Sequence, residues 1–270
     1  MLPEFNEHLI GYKINNMFIS GSNGSGKSIV SKLIMKDAKE KMIKNNANGC
    51  FDYIEIECMD KTNIEVLNDV LKFYNKDADV PEHDDNYIKE YLDNLVVIRN
   101  EINKKSEKHS FYNIVFCFNN VDYLKENLKP KEKRKFDGIY GLVALNGSAL
   151  VYPHVQISVI LMSTNKNLLK EIDKETLDKL ELHHIHFKNY NAEEVFAILK
   201  QYSKEVFRSS AISDVELKYL ANIIANEYQG NIKLAYSILQ NTGLRVEELK
   251  HNKITIEDID YAFNIFLSNL

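Results

Sequence analysis

The stretch Gly21-Ser22-Asn23-Gly24-Ser25-Gly26-Lys27-Ser28 constrains this chain more than any other. It satisfies G-x-x-x-x-G-K-[ST], a loop that leaves a strand and opens a helix. Met17-Phe18-Ile19 supplies a short apolar strand before it, and Ile29, Val30, Leu33 and Ile34 recur after it at helical spacing. The glycines let the backbone curl until successive N–H groups point inward at a phosphate. The helix start that follows favours anions. In such a loop the lysine, Lys27, reaches the outer phosphates of a nucleotide and the hydroxyl of Ser28 ligates Mg²⁺. The candidate contacts to ATP or ADP are therefore Ser22, Asn23, Gly24, Ser25, Gly26, Lys27, Ser28 and Ile29.

Read in order, the chain alternates strands and helices as far as Phe187. The first helix runs to about Asn45, where Asn46-Ala47-Asn48-Gly49 stops it. Phe51 to Cys58 alternates as a strand, with Ile54, Ile56 and Cys58 against Glu55 and Glu57. Helices follow over 63–74 and from Tyr87 to about Lys104, separated by an acidic loop that holds His83 and reads as solvated. Ile114 to Phe118 and Val155 to Met162 are continuous apolar runs, as expected of strands covered on both faces of a parallel sheet. Phe136 to Leu145 has helical spacing, and His183 to Phe187 is a short strand. His184 and His186 share one face of it and read as ordinary histidines. Beyond Phe187 only helices are expected: Asn191 to Val206, Ser213 to Tyr228 behind a capping box, Gly230 to Gln240, and one opening at Thr255. The expected architecture is an α/β domain over 1–188, a parallel sheet with crossover helices, then a small all-helical domain over 189–270.

The overall charge of −5 argues against a chain that binds nucleic acid through its global field. Any DNA contact must come from a local patch, and Lys129, Lys131, Lys133, Arg134 and Lys135 form the best one. The basic run Lys125 to Lys135 that contains them has two readings, a contact to phosphate or an acidic partner or, favoured, a solvated loop. Cys50, Cys58 and Cys117 are widely spaced, which fits buried free thiols in a reducing cytoplasm. There is no signal peptide and no long apolar run, so no membrane insertion and a cytoplasmic location are expected.

This layout resembles an AAA+ ATPase and, more narrowly, the initiator clade of archaeal origin-recognition and replication-licensing ATPases. Beside the phosphate loop, the likeness rests on Phe118-Asn119-Asn120-Val121-Asp122-Tyr123-Leu124, where the family has apolar-Asp-Glu-apolar-Asp-Tyr-Leu. Val159 to Asn165 resembles the strand ending in the polar residue called sensor 1, here Asn165. Phe187 to Glu194 is similar to the entry into the helical lid, which implies Tyr190 near the base; plain core is the other reading of that tyrosine. Gly230-Asn231-Ile232-Lys233-Leu234-Ala235 stands where the family has Gly-Asp-x-Arg-x-Ala, which puts Lys233 at the sensor 2 arginine. The resemblance implies DNA replication as the process, duplex DNA at origins as a partner, and proteins of the replication machinery or AAA+ neighbours as others. The family continues into a C-terminal winged helix, and this chain ends where that domain would begin.

The departures bear on chemistry. Asn119 stands at the metal-binding Asp, Asn120 at the catalytic Glu, and Glu175 near the position of the arginine finger. An Asn amide lacks the charge with which a carboxylate supports Mg²⁺. It can hold a water but cannot take its proton. Lysine at sensor 2 keeps the charge and loses the bidentate fork. Asp122 has two readings, a Mg²⁺ ligand by default or, favoured, a capping or surface carboxylate. Two functions follow. One is a nucleotide-gated binding module with weak or absent hydrolysis. The alternative is an active DNA-dependent loader or remodeller whose missing carboxylate comes from Asp122 or a neighbouring subunit.

Overall fold

The computed structural model describes residues 14–45, 48–76, 87–125, 136–145, 150–172 and 174–268. These divide into two compact units: one runs up to Ser20 and over Ser28–His186, and the other joins Gly21–Lys27 to the chain from Phe187 onward.

The first unit is built on a parallel sheet. Its strands are β1 (Met17–Gly21), β2 (Gly49–Glu57), β3 (Phe111–Asn119), β4 (Val155–Ser163) and β5 (His183–Phe187), in the order β2-β3-β4-β1-β5. Around them lie α1 (Lys27–Asn45), α2 (Asn63–Tyr74), α3 (Tyr87–Ser106), α4 (Asp137–Ala144) and α5 (Lys174–Leu180). Every residue of β3 except Asn119 is buried, because β2 and β4 flank it and helices cover its faces. The strand is longer than its apolar run, since Phe111, Tyr112 and Asn113 also pair, with Gly49 to Phe51 on β2 and, for Tyr112 and Asn113, with Val155 and Gln156 on β4. Phe18, Leu67, Phe116, Ile139 and Leu161 belong to the continuous core beneath the sheet. Thr62 opens α2 with a reciprocal capping box to Glu65. Cys58 and Cys117 are buried free thiols, and burial pushes both up to about 12. Cys50 departs from the expectation, being only half-buried.

The second unit packs α6 (Ala192–Val206), α7 (Asp214–Glu227), α8 (Ile232–Glu248) and α9 (Ile256–Ser268) around Leu199, Leu220, Ile224, Ile238 and Ile259. Asn191 and Ser213 open α6 and α7 with capping boxes. The structure carries α8 past the expected end at Gln240, through Gly243, whose missing side chain leaves room for the ring of Phe207. Packing here outweighs the roughly 1 kcal/mol that glycine costs in a helix.

Asp258, 5% exposed, ties α9 to α8 by accepting from Thr255 N, Thr255 Oγ1 and Arg245 Nε at 3.0, 2.8 and 3.2 Å. Burial opposes its ionisation, but the Thr255 donors and Arg245 outweigh burial and hold its carboxyl below the usual range. Because the folded pKa is depressed, this stabilisation is present above the unfolded value of about 3.9 and is lost as pH falls through the folded pKa. Asp258→Asn should cost about 1–3 kcal/mol at pH 7, and the deficit should shrink below about pH 4. Urea unfolding of parent and variant at both pH values measures this. An equal deficit at both would show that ionisation of Asp258 is not what stabilises the unit.

Candidate nucleotide site

In the first unit the relevant residues gather at the carboxyl ends of the central strands. Ligands of open α/β sheets bind at this edge. Ser28 is exposed in the first turn of α1, and its Oγ lies 3.5 Å from Asn119 Oδ1 and 3.7 Å from Met162 Sδ. These are outer limits of contact, loose enough for the hydroxyl to take another partner. Ile29, beside it, is 64% exposed.

Asn119 ends β3 in register with Glu57, the last residue of β2, and Cys58 N donates to Asn119 O at 2.9 Å. The chain then turns through Asn120, held in the left-handed region at φ 56°, ψ 43°. Its Nδ2 donates to Glu57 Oε1 at 2.9 Å, and Met59 N donates to the same oxygen at 3.1 Å. The amide at the expected catalytic position is therefore paired with a carboxylate from the neighbouring strand.

Asp122 lies in a short 3₁₀ turn (Val121–Tyr123), where its Oδ2 accepts from Thr164 Oγ1 at 2.7 Å and joins this turn to the end of β4. Asn165, just past β4, donates from Nδ2 to Glu171 Oε1 at 2.9 Å and accepts from Asn167 N at 2.9 Å. Glu175 is met by Lys179 at 2.6 Å, one turn along α5. Sequence reasoning passed over Glu57 and Glu171 as partners of Asn120 and Asn165. Glu57 had a signal, as the last outward position of an alternating strand, but only the sheet register pairs it with Asn119.

In the second unit the loop is curled by Gly24 and Gly26 at φ +74° and +91°. Lys27 Nζ donates to the carbonyls of Gly21 and Ser22 at 2.7 and 2.9 Å. Ser22 Oγ donates to Asn189 Oδ1 at 2.8 Å. Gly24 rests on the start of α8: a Cβ there would lie 2.0 Å from Asn231 Oδ1, and Ile232 N donates to Gly24 O at 3.4 Å. Asn231 caps the helix through Leu234 N, and Lys233 is exposed in its first turn. Tyr190 packs half-buried at the edge of the helical core, and burial raises its phenol. Asn23 is exposed at the tip of the loop, while Ser25 is buried with no protein partner for its hydroxyl.

A phosphate fits this loop on three of these observations. The glycines are curled, the buried Ser25 hydroxyl lacks a protein partner, and a lysine already satisfies loop carbonyls that face it. For Mg²⁺, Ser28 and Asn119 offer two neutral oxygens, and among the described residues no group of three or more His, Cys, Asp or Glu could hold a metal. That set fits an ion that arrives with nucleotide phosphates rather than one held in a protein cage. The rings of His184 and His186 both meet Ser20 Oγ, at 2.8 and 2.9 Å. The basic run Lys129 to Lys135 and His83 lie outside the described residues. Among the described residues no helix is long and apolar enough to cross a membrane.

A glycine-rich loop leaving an inner strand of a five-stranded parallel sheet, with a helical unit following, is the P-loop fold of the AAA+ proteins. Within that class the chain resembles an ORC-like ATPase of the initiator clade. The ORC1-type DNA replication protein 1 of Sulfurisphaera tokodaii is 27% identical over 263 residues, covering 93% of this chain and 57% of that protein. The Aeropyrum pernix ORC1 protein, solved in complex with DNA, superposes with a TM-score of 0.77 at 16% identity over 97% of this chain and 62% of that one. The Aeropyrum pernix ORC2 protein, solved with ADPNP and ADP, does so with a TM-score of 0.70 at 14% identity, over 96% and 64%. The chain thus spans somewhat over half the length of such relatives. No protein-family model matches it.

Proposed function

We propose that this chain is an ATP-binding AAA+ module of the replication-initiator type that holds its nucleotide as a state and hydrolyses it slowly. ATP or ADP is held by Ser22 to Ile29, with the base near Tyr190 and Lys233 and Asn165 facing the outer phosphates. Mg²⁺ is held by Ser28 and the nucleotide with support from Asn119, and it supplies charge to the phosphates. The ATP-loaded form binds duplex DNA at origins, replication proteins or AAA+ neighbours. The observation that carries this reading is a complete phosphate loop whose Ser28 meets an amide, Asn119, where hydrolysis calls for charge. Thr164 Oγ1 donates to Asp122 Oδ2 at 2.7 Å, which supports the structural reading of Asp122 over the active-ATPase alternative that would use it as a Mg²⁺ ligand.

The test is single-turnover hydrolysis by the parent against Asn119→Asp/Asn120→Glu, beside equilibrium binding of ATP and ADP. A general base is worth about 10²–10⁴-fold in rate. The expected result is tight binding by both proteins with a slow parent and a faster variant. A parent as fast as ordinary AAA+ enzymes, or one that binds neither nucleotide, would overturn the reading.

A further inference from the structure

We propose that Glu57 is the proton acceptor for whatever hydrolysis this chain performs, with Asn120 as its positioning residue. This rests on the reading that ATP is bound at Gly21 to Ser28. Asn120 Nδ2 donates to Glu57 Oε1 at 2.9 Å, and Met59 N holds the same oxygen at 3.1 Å. A carboxylate can accept about four hydrogen bonds, so two donors on one oxygen leave the other for water. Glu57 is the register partner of Asn119, whose Oδ1 in turn meets Ser28 at the start of α1. Neighbouring strands lie about 4.8 Å apart, so the acid is displaced by one strand from the position where Asn120 lacks it. Asn120 occupies the left-handed region, which asparagine tolerates better than most residues.

The step balances without any further reactant. Water attacks the γ-phosphorus, the bond from that phosphorus to the β–γ bridging oxygen breaks, and one water proton passes to the Glu57 carboxylate. The products are ADP and inorganic phosphate, and the protonated acid returns its proton to solvent. Glu57 is exposed and sits one strand over, so turnover through it is slow.

The pair makes a specific demand on substitution. Asn120→Glu alone places two carboxylates across one hydrogen bond, where like charges keep one of them protonated. Glu57→Asn/Asn120→Glu restores an acid–amide pair in the opposite order. The experiment therefore compares four proteins: parent, Glu57→Gln, Asn120→Glu and Glu57→Asn/Asn120→Glu. Each is followed by single-turnover hydrolysis, equilibrium ATP binding and nucleotide-free melting from pH 5 to 8. Glu57→Gln should lower the rate by about 10²-fold or more while ATP affinity stays within about twofold. Asn120→Glu should melt progressively lower as pH rises, and the exchanged pair should remove that dependence and turn over faster than Asn120→Glu.

Unchanged turnover in Glu57→Gln would overturn the proposal and, with ATP affinity intact, leave the nucleotide-binding reading standing. Equal melting profiles for Asn120→Glu and the exchanged pair would overturn it even if the parent shows no measurable turnover. Failure of the nucleotide-binding reading looks different: ATP binding would be absent in all four proteins.

Discussion

Lys27→Ala should weaken ATP and ADP binding by at least about tenfold and up to several hundredfold, with little change in the melting of the nucleotide-free protein. Hydrogen bonds to charged groups contribute about 1.5–3 kcal/mol each, and each 1.4 kcal/mol is tenfold in affinity. Lys27 Nζ donates to the carbonyls of Gly21 and Ser22 at 2.7 and 2.9 Å. Its ammonium is therefore positioned at the loop that would hold the phosphates. Those carbonyls can turn to water once the side chain is gone, so the fold does not depend on it. Isothermal titration with both nucleotides, beside thermal melting, measures the two quantities. A variant that binds ATP as tightly as the parent would show that the phosphates lie elsewhere.

Gly230→Ala should destabilise the helical unit by about 2–5 kcal/mol and lower nucleotide affinity with it. Gly230 adopts φ +70°, and a Cβ there would meet Tyr190 O, N and Cα at 2.5, 2.7 and 3.0 Å. All three are backbone atoms, so no side-chain rotation relieves the clash. A non-glycine residue in the left-handed region costs about 1–2 kcal/mol, and overpacking costs typically 1–3 more. Gly230 N also closes the end of α7 by donating to Ile224 O at 2.9 Å, so the turn cannot move without opening that helix. Denaturant unfolding monitored on the helical signal tests this. A variant as stable as the parent would mean that the contact between Gly230 and Tyr190 is not held in solution.

Most of the element pattern is legible in the amino-acid sequence because it is local. Asn63–Tyr74 and His183–Phe187 have the limits that period and punctuation alone predict. The capping box at Ser213 is a three-residue spacing, and the phosphate loop is an eight-residue one. The strand before that loop and the helix after it follow from apolar spacing within reach of the same few residues. Nothing local announces that α8 continues through Gly243. Phe207, brought alongside from the end of α6, fills the space a side chain would need.

The site divides along the same line. Asn119 and Asn120 stand out as amides in place of acids through the resemblance to the initiator family, whose pattern has Asp-Glu after this apolar run. Glu57 lies 63 residues from Asn120 and meets it because β2 pairs with β3 in a parallel register that ends both strands together. Strand pairing is a long-range choice set by burial of whole faces, so no window of sequence contains it. The same holds for Asp122, whose contact with Thr164 at the end of β4 only the fold supplies. Motif spacing decides which residues can meet a nucleotide, because a phosphate loop is built from consecutive backbone groups. Which carboxylate stands ready to take a proton is decided by the sheet, because proton transfer depends on atoms a few ångströms apart on strands the chain reaches only after a crossover.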